Sequence, residues 1–203
     1  MDCKDVSYLV FDSATHGIIM NLLGKIEYEF NNMKWKRNYH RKNASEGPCD
    51  SMSFGLVNRF EHGSHGKFDF LPSVNNEQWP KVYDLLQQLA SIIQFEKRTG
   101  VPCSTFCTNR NFQCKLHRDR VNQGESIIVG LGDYEGGELQ VLPFGAFDIR
   151  YRFLQFDGSK YEHGTLPFQG QRYSIVFYSS APCKSKGQIA RRVHARLPDD
   201  EGF

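Results

Sequence analysis

The chain has 203 residues and a mass of 23.4 kDa, the size of one domain or of one domain with a small extension. Charged residues make up 24% and hydrophobic ones 39%, which describes a globular chain, and a net charge of +2 excludes a histone-like wrapper of nucleic acid while allowing a local basic patch. No apolar run approaches the ~18 residues of a membrane span, Met1-Asp2-Cys3-Lys4-Asp5 does not read as a secretory signal, and the six cysteines lack a disulfide framework's spacing, so an intracellular location, cytoplasmic or nuclear, is expected.

Val6–Phe11 reads as a short strand. Ala14–Ile26 reads as a helix with Ile18, Ile19, Leu22, Leu23 and Ile26 at helical spacing and Ser13 or Thr15 as its cap. Lys34–Lys42 is basic with Trp35 and Tyr39 interleaved, a pattern that suits a nucleic-acid backbone with base stacking and equally a solvated face. Asn43–Ser51 reads as a loop, Phe54–Phe60 as a strand and Glu61–Gly66 as a turn. Glu77–Phe95 is the strongest helix, with Trp79, Val82, Leu85, Leu86, Leu89, Ile92 and Ile93 on one stripe and Gly100-Val101-Pro102 as its stop.

From Ser104 the pattern changes to short strands: Ser104–Arg110, Ser126–Leu131, Glu138–Leu142, Arg152–Phe156 and Arg172–Tyr178. Turn signals separate them at Asn122-Gln123-Gly124, Glu135-Gly136-Gly137, Pro143-Phe144-Gly145, Asp157-Gly158-Ser159 and Phe168-Gln169-Gly170. Short strands with Gly-rich turns predict a jelly roll or barrel, with the preceding helices covering the sheet and Tyr173, Phe177, Phe153 and Phe156 in the core. The expected organisation is an extension over 1–103, a catalytic core over 104–183 and a charged tail over 184–203, in one compact α+β unit. Arg191, Arg192, His194 and Arg196 form a second basic cluster in that tail.

His117-Arg118-Asp119 follows the first of these strands. In extended chain the first and third residues share a side, so an imidazole and a carboxylate can meet at one point. His163 lies 44 positions after Asp119, and two histidines with one carboxylate leave three positions open on an octahedral Fe(II), enough for a bidentate cosubstrate and oxygen. Nine residues after His163 come Arg172 and, two further on, Ser174; an arginine fork with a hydroxyl suits a distal carboxylate. Singly, these read as a surface pair, a loop histidine and a structural ion pair. Their order and spacing within a strand-rich half make the metal reading the stronger one. The rival zinc set, Cys103, Cys107, Cys114 and His117, has irregular spacing for a ribbon.

His117-x-Asp119, His163 and Arg172-x-Ser174 resemble the motifs of Fe(II)- and 2-oxoglutarate-dependent dioxygenases, over roughly 104–178. Asn109-Arg110-Asn111, Cys114-x-x-His117-Arg118-Asp119, Asn122-x-Gly124-x-Ser126, Gly132-Asp133-Tyr134-Glu135-Gly136-Gly137-Glu138-Leu139 and Gly170-x-Arg172-Tyr173-Ser174 are similar to the TET/JBP group, oxidases of 5-methylpyrimidines in DNA, with their algal and viral relatives. The sequence departs from TET proteins in having no cysteine-rich N-terminal domain and no long insert. The resemblance implies a double-stranded β-helix, or jelly-roll, core and an enzyme that uses Fe(II), 2-oxoglutarate and O2. It places His117, Asp119 and His163 on iron, Arg172 and Ser174 on the distal carboxylate of the cosubstrate, and Asn109 within reach of its proximal carboxylate. Arg118, Asn122 and Ser126 then stand at the substrate mouth. A methylated pyrimidine in nucleic acid is the expected substrate, which makes the activity a DNA modification. The alternatives are a hydroxylase of prolyl or other protein side chains, and a non-catalytic metal-binding domain.

Overall fold

A computed structural model of the chain describes residues 5–39, 44–45, 49–60, 68–119 and 122–180. In chain order the elements are β1 (Val6–Tyr8), α1 (Ser13–Asn32), β2 (Arg37–Asn38), β3 (Cys49–Phe60), β4 (Phe68–Pro72), α2 (Val74–Gln78), α3 (Pro80–Ile92), α4 (Phe95–Thr99), β5 (Thr105–Arg110), β6 (Asn122–Leu131), β7 (Tyr134–Gly136), β8 (Leu139–Val141), β9 (Gly145–Phe147), β10 (Leu154–Phe156), β11 (His163–Thr165), β12 (Phe168–Gly170) and β13 (Tyr173–Ser180). A large antiparallel sheet runs β1-β10-β6-β13-β5-β3-β2, with β4 on β3; smaller sheets pair β11-β8-β9 and β12-β7. No helix among the described residues is long and apolar enough to cross a membrane.

Alternation along the large sheet makes two layers. Ile127, Val129 and Leu131 of β6 and Tyr173, Ile175 and Phe177 of β13 join the core that holds Leu23, Ile26 and Phe30 of α1 and Leu86 and Leu89 of α3. The intervening residues face the other way. Ile128 of β6, with Leu154 and Phe156 of β10, packs on Leu139 and Val141 of β8. The second face is the one between the sheets, and it carries Ser174 and Asn109, which are direct partners across β13 and β5. The predicted core residues Tyr173, Phe177, Phe153 and Phe156 are all buried.

The N-terminal half supplies more than a cover. β1 pairs with β10 and β3 with β5, so strands from both halves share one sheet. α1 extends to Asn32 because Phe30 continues the buried stripe one turn past Ile26. Its cap is Asp12 rather than Ser13 or Thr15: the carboxylate accepts from the Thr15 amide at 2.9 Å and from its hydroxyl at 2.7 Å. Ile18, expected on the apolar stripe, is exposed. The long helix expected over Glu77–Phe95 is three. Pro80 cannot donate a backbone hydrogen bond and starts α3 at its first position, and Gln94 is left-handed at φ 53°. Gly100, at φ 73°, ends α4 as expected.

Two turn assignments become strands. Asn122–Gly124 opens β6, and Phe168–Gly170 is β12. Cys49 to Ser51, placed in a loop, open β3. Gly136 and Gly137 do have positive φ, 75° and 71°, but they do not close a hairpin. β7 pairs with β12 and β8 with β11, so the glycines carry the chain from one small sheet to the other. Glu61–Gly66, the 184–203 tail and Arg191, Arg192, His194 and Arg196 lie outside the described residues.

The largest correction concerns Trp35. Its ring is buried, stacked on Tyr173 with centroids 5.7 Å apart, and Nε1–H donates to the Phe30 carbonyl at 2.9 Å. It belongs to the core and cannot stack on a base. Trp35→Ala is expected to lower unfolding stability by roughly 3–5 kcal/mol, the range for a buried large aromatic; urea denaturation measures it, and a loss under 1 kcal/mol would place the ring at the surface.

Candidate metal centre

β5 ends at Arg110, and the chain then crosses irregularly to β6, held by bonds to the β11 segment. Thr165 donates its amide to the Cys114 carbonyl at 2.9 Å, and His117 and His163 exchange backbone bonds at 3.0 and 2.9 Å. The Asp119 amide donates to the Gly158 carbonyl at 2.8 Å. These bonds bring together two histidines that are distant in sequence, their rings 4.4 Å apart.

One ligand atom from each of His117, Asp119 and His163 lies within 4.8 Å of the others, the one such group of His, Cys, Asp and Glu among the described residues. Both imidazoles are oriented alike. His117 Nδ1–H donates to the Lys115 carbonyl at 2.9 Å and His163 Nδ1–H to the Tyr161 carbonyl at 3.0 Å. Their Nε2 atoms turn to the two oxygens of Asp119, at 3.5 and 3.7 Å. Metal-binding histidines are held in this way, with the far nitrogen bonded to a carbonyl and the near one presented to the ion. The carboxylate accepts from Asn122 Nδ2 at 3.4 Å, and Phe156 packs edge-on against His163 at 4.9 Å.

Burial opposes charge on both His117 and Asp119, yet each is stabilised by the other. Bonds to Asp119 and Cys114 outweigh desolvation and raise His117 to about 10. Bonds from His117 and His163 hold Asp119 well below the usual carboxylate range despite its own desolvation. Two nitrogens with one oxygen on one side suit Fe(II).

Arg172 is 2% exposed. Its Cζ lies 5.4 Å from the Tyr134 ring centroid and 5.5 Å from that of Phe168, while Nε and Nη2 are buried without a hydrogen-bond partner among the described residues. Burial pushes its pKa down, so a buried guanidinium without an anion is costly, and a carboxylate would satisfy it. The residues present therefore fit both an iron and a dicarboxylate cosubstrate. Ser174 is buried beside it and accepts from Asn109 Nδ2 at 3.1 Å.

The remaining expected residues divide. Arg118 is exposed within the motif. Asn122 bridges Asp119 and the Ser126 hydroxyl, both at 3.4 Å, while Ser126 is buried at 1% exposure. The zinc alternative is not assembled. Cys107 Sγ lies 3.8 Å from Ser51 Oγ and 3.6 Å from Asn109 Oδ1, and burial pushes the Cys103 thiol up to about 12, so it stays protonated. Cys114 alone approaches the centre, its Sγ 3.3 Å from His117 Nδ1.

Gly158, Tyr134 and Phe168 carry no site signal in the sequence. Gly158 stands inside a turn signal, which marks a bend but not what lies opposite. A Cβ there would come 3.2 Å from His163 Cε1 and 3.7 Å from Asp119 Oδ2. Gly158→Val is expected to weaken metal binding about tenfold by displacing the His163 ring, with secondary structure retained; calorimetric titration with Fe(II) or Mn(II) measures it, and unchanged affinity would show the ring is free to yield.

No protein-family model matches the sequence, and no curated protein matches it. Solved structures do. The chain is similar to NgTET1 in complex with 5mC DNA at 13% identity and TM-score 0.53, covering 87% of this chain and 72% of that one. It is similar to a 2OG-Fe(II) oxygenase family oxidoreductase from Burkholderia pseudomallei at 17% identity and TM-score 0.52, covering 87% and 85%. A prolyl hydroxylase from Trichoplax adhaerens, in complex with a hypoxia inducible factor peptide, matches at 11% identity and TM-score 0.55, covering 94% and 88%. These likenesses show the fold, an α+β jelly roll.

Proposed function

We propose that this chain, folded as the Fe(II)- and 2-oxoglutarate-dependent oxygenases are, is such an oxygenase, with a 5-methylpyrimidine base of nucleic acid as its substrate. The observation that carries the oxygenase reading is the orientation of two imidazoles and a carboxylate toward one point, in the same fold as a buried Arg172 with two guanidinium nitrogens lacking a partner among the described residues. His117, Asp119 and His163 would hold Fe(II), and Arg172 with Ser174 the distal carboxylate of 2-oxoglutarate. Asn109, bonded to Ser174, supports that end of the site. When bound, the metal and cosubstrate supply oxygen activation: one oxygen atom enters a substrate C–H bond as hydroxyl, the other enters succinate, and carbon dioxide leaves. The protein's own residues fix the ligand geometry, hold the cosubstrate in one register and keep the inner face of the sheet packed by Phe156, Leu139 and Val141.

The nucleic-acid reading is supported by exposed basic and aromatic side chains of the Lys34–Tyr39 segment and by one in the motif itself. Lys34, Arg37 and Tyr39 are exposed, although Trp35 is not available and Lys36 is tied to Asn75 Oδ1 at 2.7 Å; residues 40–42 of the basic stretch lie outside the described residues. Further along, Ser45 donates its amide to the Gln113 carbonyl at 2.9 Å and Ala44 pairs with Cys114, three residues before His117. Arg118 adds a further exposed charge there. A base must leave its stack to reach a recessed metal, and phosphate contacts would hold the strand while it does.

The test is anaerobic binding of Fe(II) and 2-oxoglutarate, then succinate release and mass spectrometry of methylated DNA, methylated RNA and a peptide library. The expected result is an oxidised pyrimidine, with binding that falls steeply as salt rises. Hydroxylated peptides with unaltered nucleic acid would assign the chain to protein hydroxylation, and absent binding of both iron and 2-oxoglutarate would overturn the oxygenase reading.

A further inference from the structure

β5 and β13 pair Ser174 with Asn109 and Tyr173 with Arg110, so Arg172 and Asn111 stand opposite each other one step beyond the ladder. In a hydrogen-bonded pair of an antiparallel ladder each amide donates to the other residue's carbonyl. Here only one of the two bonds is of that kind: the Asn111 amide donates to the Arg172 carbonyl at 2.7 Å. The Arg172 amide donates instead to the Asn111 side-chain oxygen, Oδ1, at 2.9 Å. Asn111 is left-handed, at φ 48°, a conformation that asparagine enters more readily than most side chains. Its amide oxygen takes the place of the ladder acceptor that a strand residue would supply from its backbone.

The other end of that amide is held as well. Asn111 Nδ2–H donates to Gln171 Oε1 at 3.3 Å, Gln171 Nε2–H donates to the Tyr173 hydroxyl at 2.9 Å, and this hydroxyl donates to Asn31 Oδ1 of α1 at 2.8 Å. The chain of bonds ties the end of β5 to the helix layer and leaves Oδ1 aimed at residue 172. Asn111 also stands where the parts of the centre diverge. β5 behind it carries Asn109, and ahead of it the chain leaves the sheet for the segment of His117 and Asp119. Across from it, Arg172 sends its guanidinium between Tyr134 and Phe168. Two guanidinium nitrogens have no partner among the described residues, so the cation's place depends on the two rings and on the backbone from which it extends.

We propose that Asn111 is a positioning residue for cosubstrate binding: its side-chain oxygen holds the backbone of Arg172, and its left-handed turn fixes that arginine relative to the metal motif. This rests on the oxygenase reading above. Asn111 is exposed and acts through Arg172 rather than on the cosubstrate. Glycine at position 111 would adopt the same φ without strain but has no oxygen for the Arg172 amide. Aspartate has the oxygen and tolerates the left-handed conformation. The two replacements therefore separate the hydrogen bond from the turn.

The test uses the full chain loaded with Mn(II), titrated calorimetrically with 2-oxoglutarate and, separately, with 2-oxobutyrate, which keeps the chelating end but has no distal carboxylate. In Asn111→Gly the dissociation constant for 2-oxoglutarate is expected to rise about tenfold, with Mn(II) and 2-oxobutyrate affinities unchanged. Asn111→Asp, which keeps the acceptor, is expected to bind 2-oxoglutarate within about twofold of the wild type. Unchanged 2-oxoglutarate affinity in Asn111→Gly overturns the proposal. A parallel loss of Mn(II) or 2-oxobutyrate binding overturns it too, because a residue that only supports the fold would weaken all three. An equal loss in Asn111→Asp would remove the side-chain oxygen from the account and overturn it as well. A wild-type chain that binds Mn(II) but not 2-oxoglutarate overturns the oxygenase reading itself, and this assignment with it.

Discussion

Alanine at His117 or at Asp119 is expected to lower Fe(II) affinity by more than about 100-fold and to abolish turnover, while the chain still folds. Loss of a group that merely orients a ligand costs about 10- to 100-fold, and these replacements remove the ligand itself. The fold survives because neither side chain belongs to the hydrophobic core: both are partly exposed, and the backbone bonds from His117 to His163 and from Asp119 to Gly158 do not depend on the side chains. Metal content after dialysis, calorimetric titration and far-UV circular dichroism measure the three quantities. His117→Ala with full metal affinity and full succinate release would remove His117 from the ligand set.

Arg172 is expected to separate binding from stability. Arg172→Ala should weaken 2-oxoglutarate by about 100-fold or more, the scale for breaking a buried charge pair. Arg172→Lys should lose less, since it keeps the charge but not the planar fork. Arg172→Met should show the same loss of cosubstrate with a melting temperature equal to or above that of the wild type. The reason is that the guanidinium is buried between Tyr134 and Phe168 with two nitrogens unpartnered among the described residues, so an apolar side chain relieves a cost in the free protein. A large fall in melting temperature for Arg172→Met, with 2-oxoglutarate affinity retained, would make Arg172 a structural residue.

Much of the centre was legible because its residues are chemically unusual where they stand. A His-x-Asp pair, a later histidine and an arginine ahead of an apolar strand carry their chemistry in their identity, and the strand pattern from residue 104 onward is strong. Other residues hid inside ordinary signals. Gly158 has the sequence signal of a turn residue, and Trp35 that of a stacking platform, because aromatic residues among lysines and arginines look alike on a surface and in a core.

The sequence alone determined the main apolar helices and the central strands of the large sheet, the alternation that puts Ile127 and Ile128 on opposite faces, and the residue types able to hold a metal and a carboxylate, since each of these depends on side-chain chemistry and on spacing along a few residues. Only the tertiary structure decided what faces what. Long-range pairing joins His117 to His163 and Gly130 to Ser174, and packing of α1 against the sheet takes Trp35 inside. These outcomes depend on contacts between segments tens of residues apart, which local propensity and periodicity do not encode.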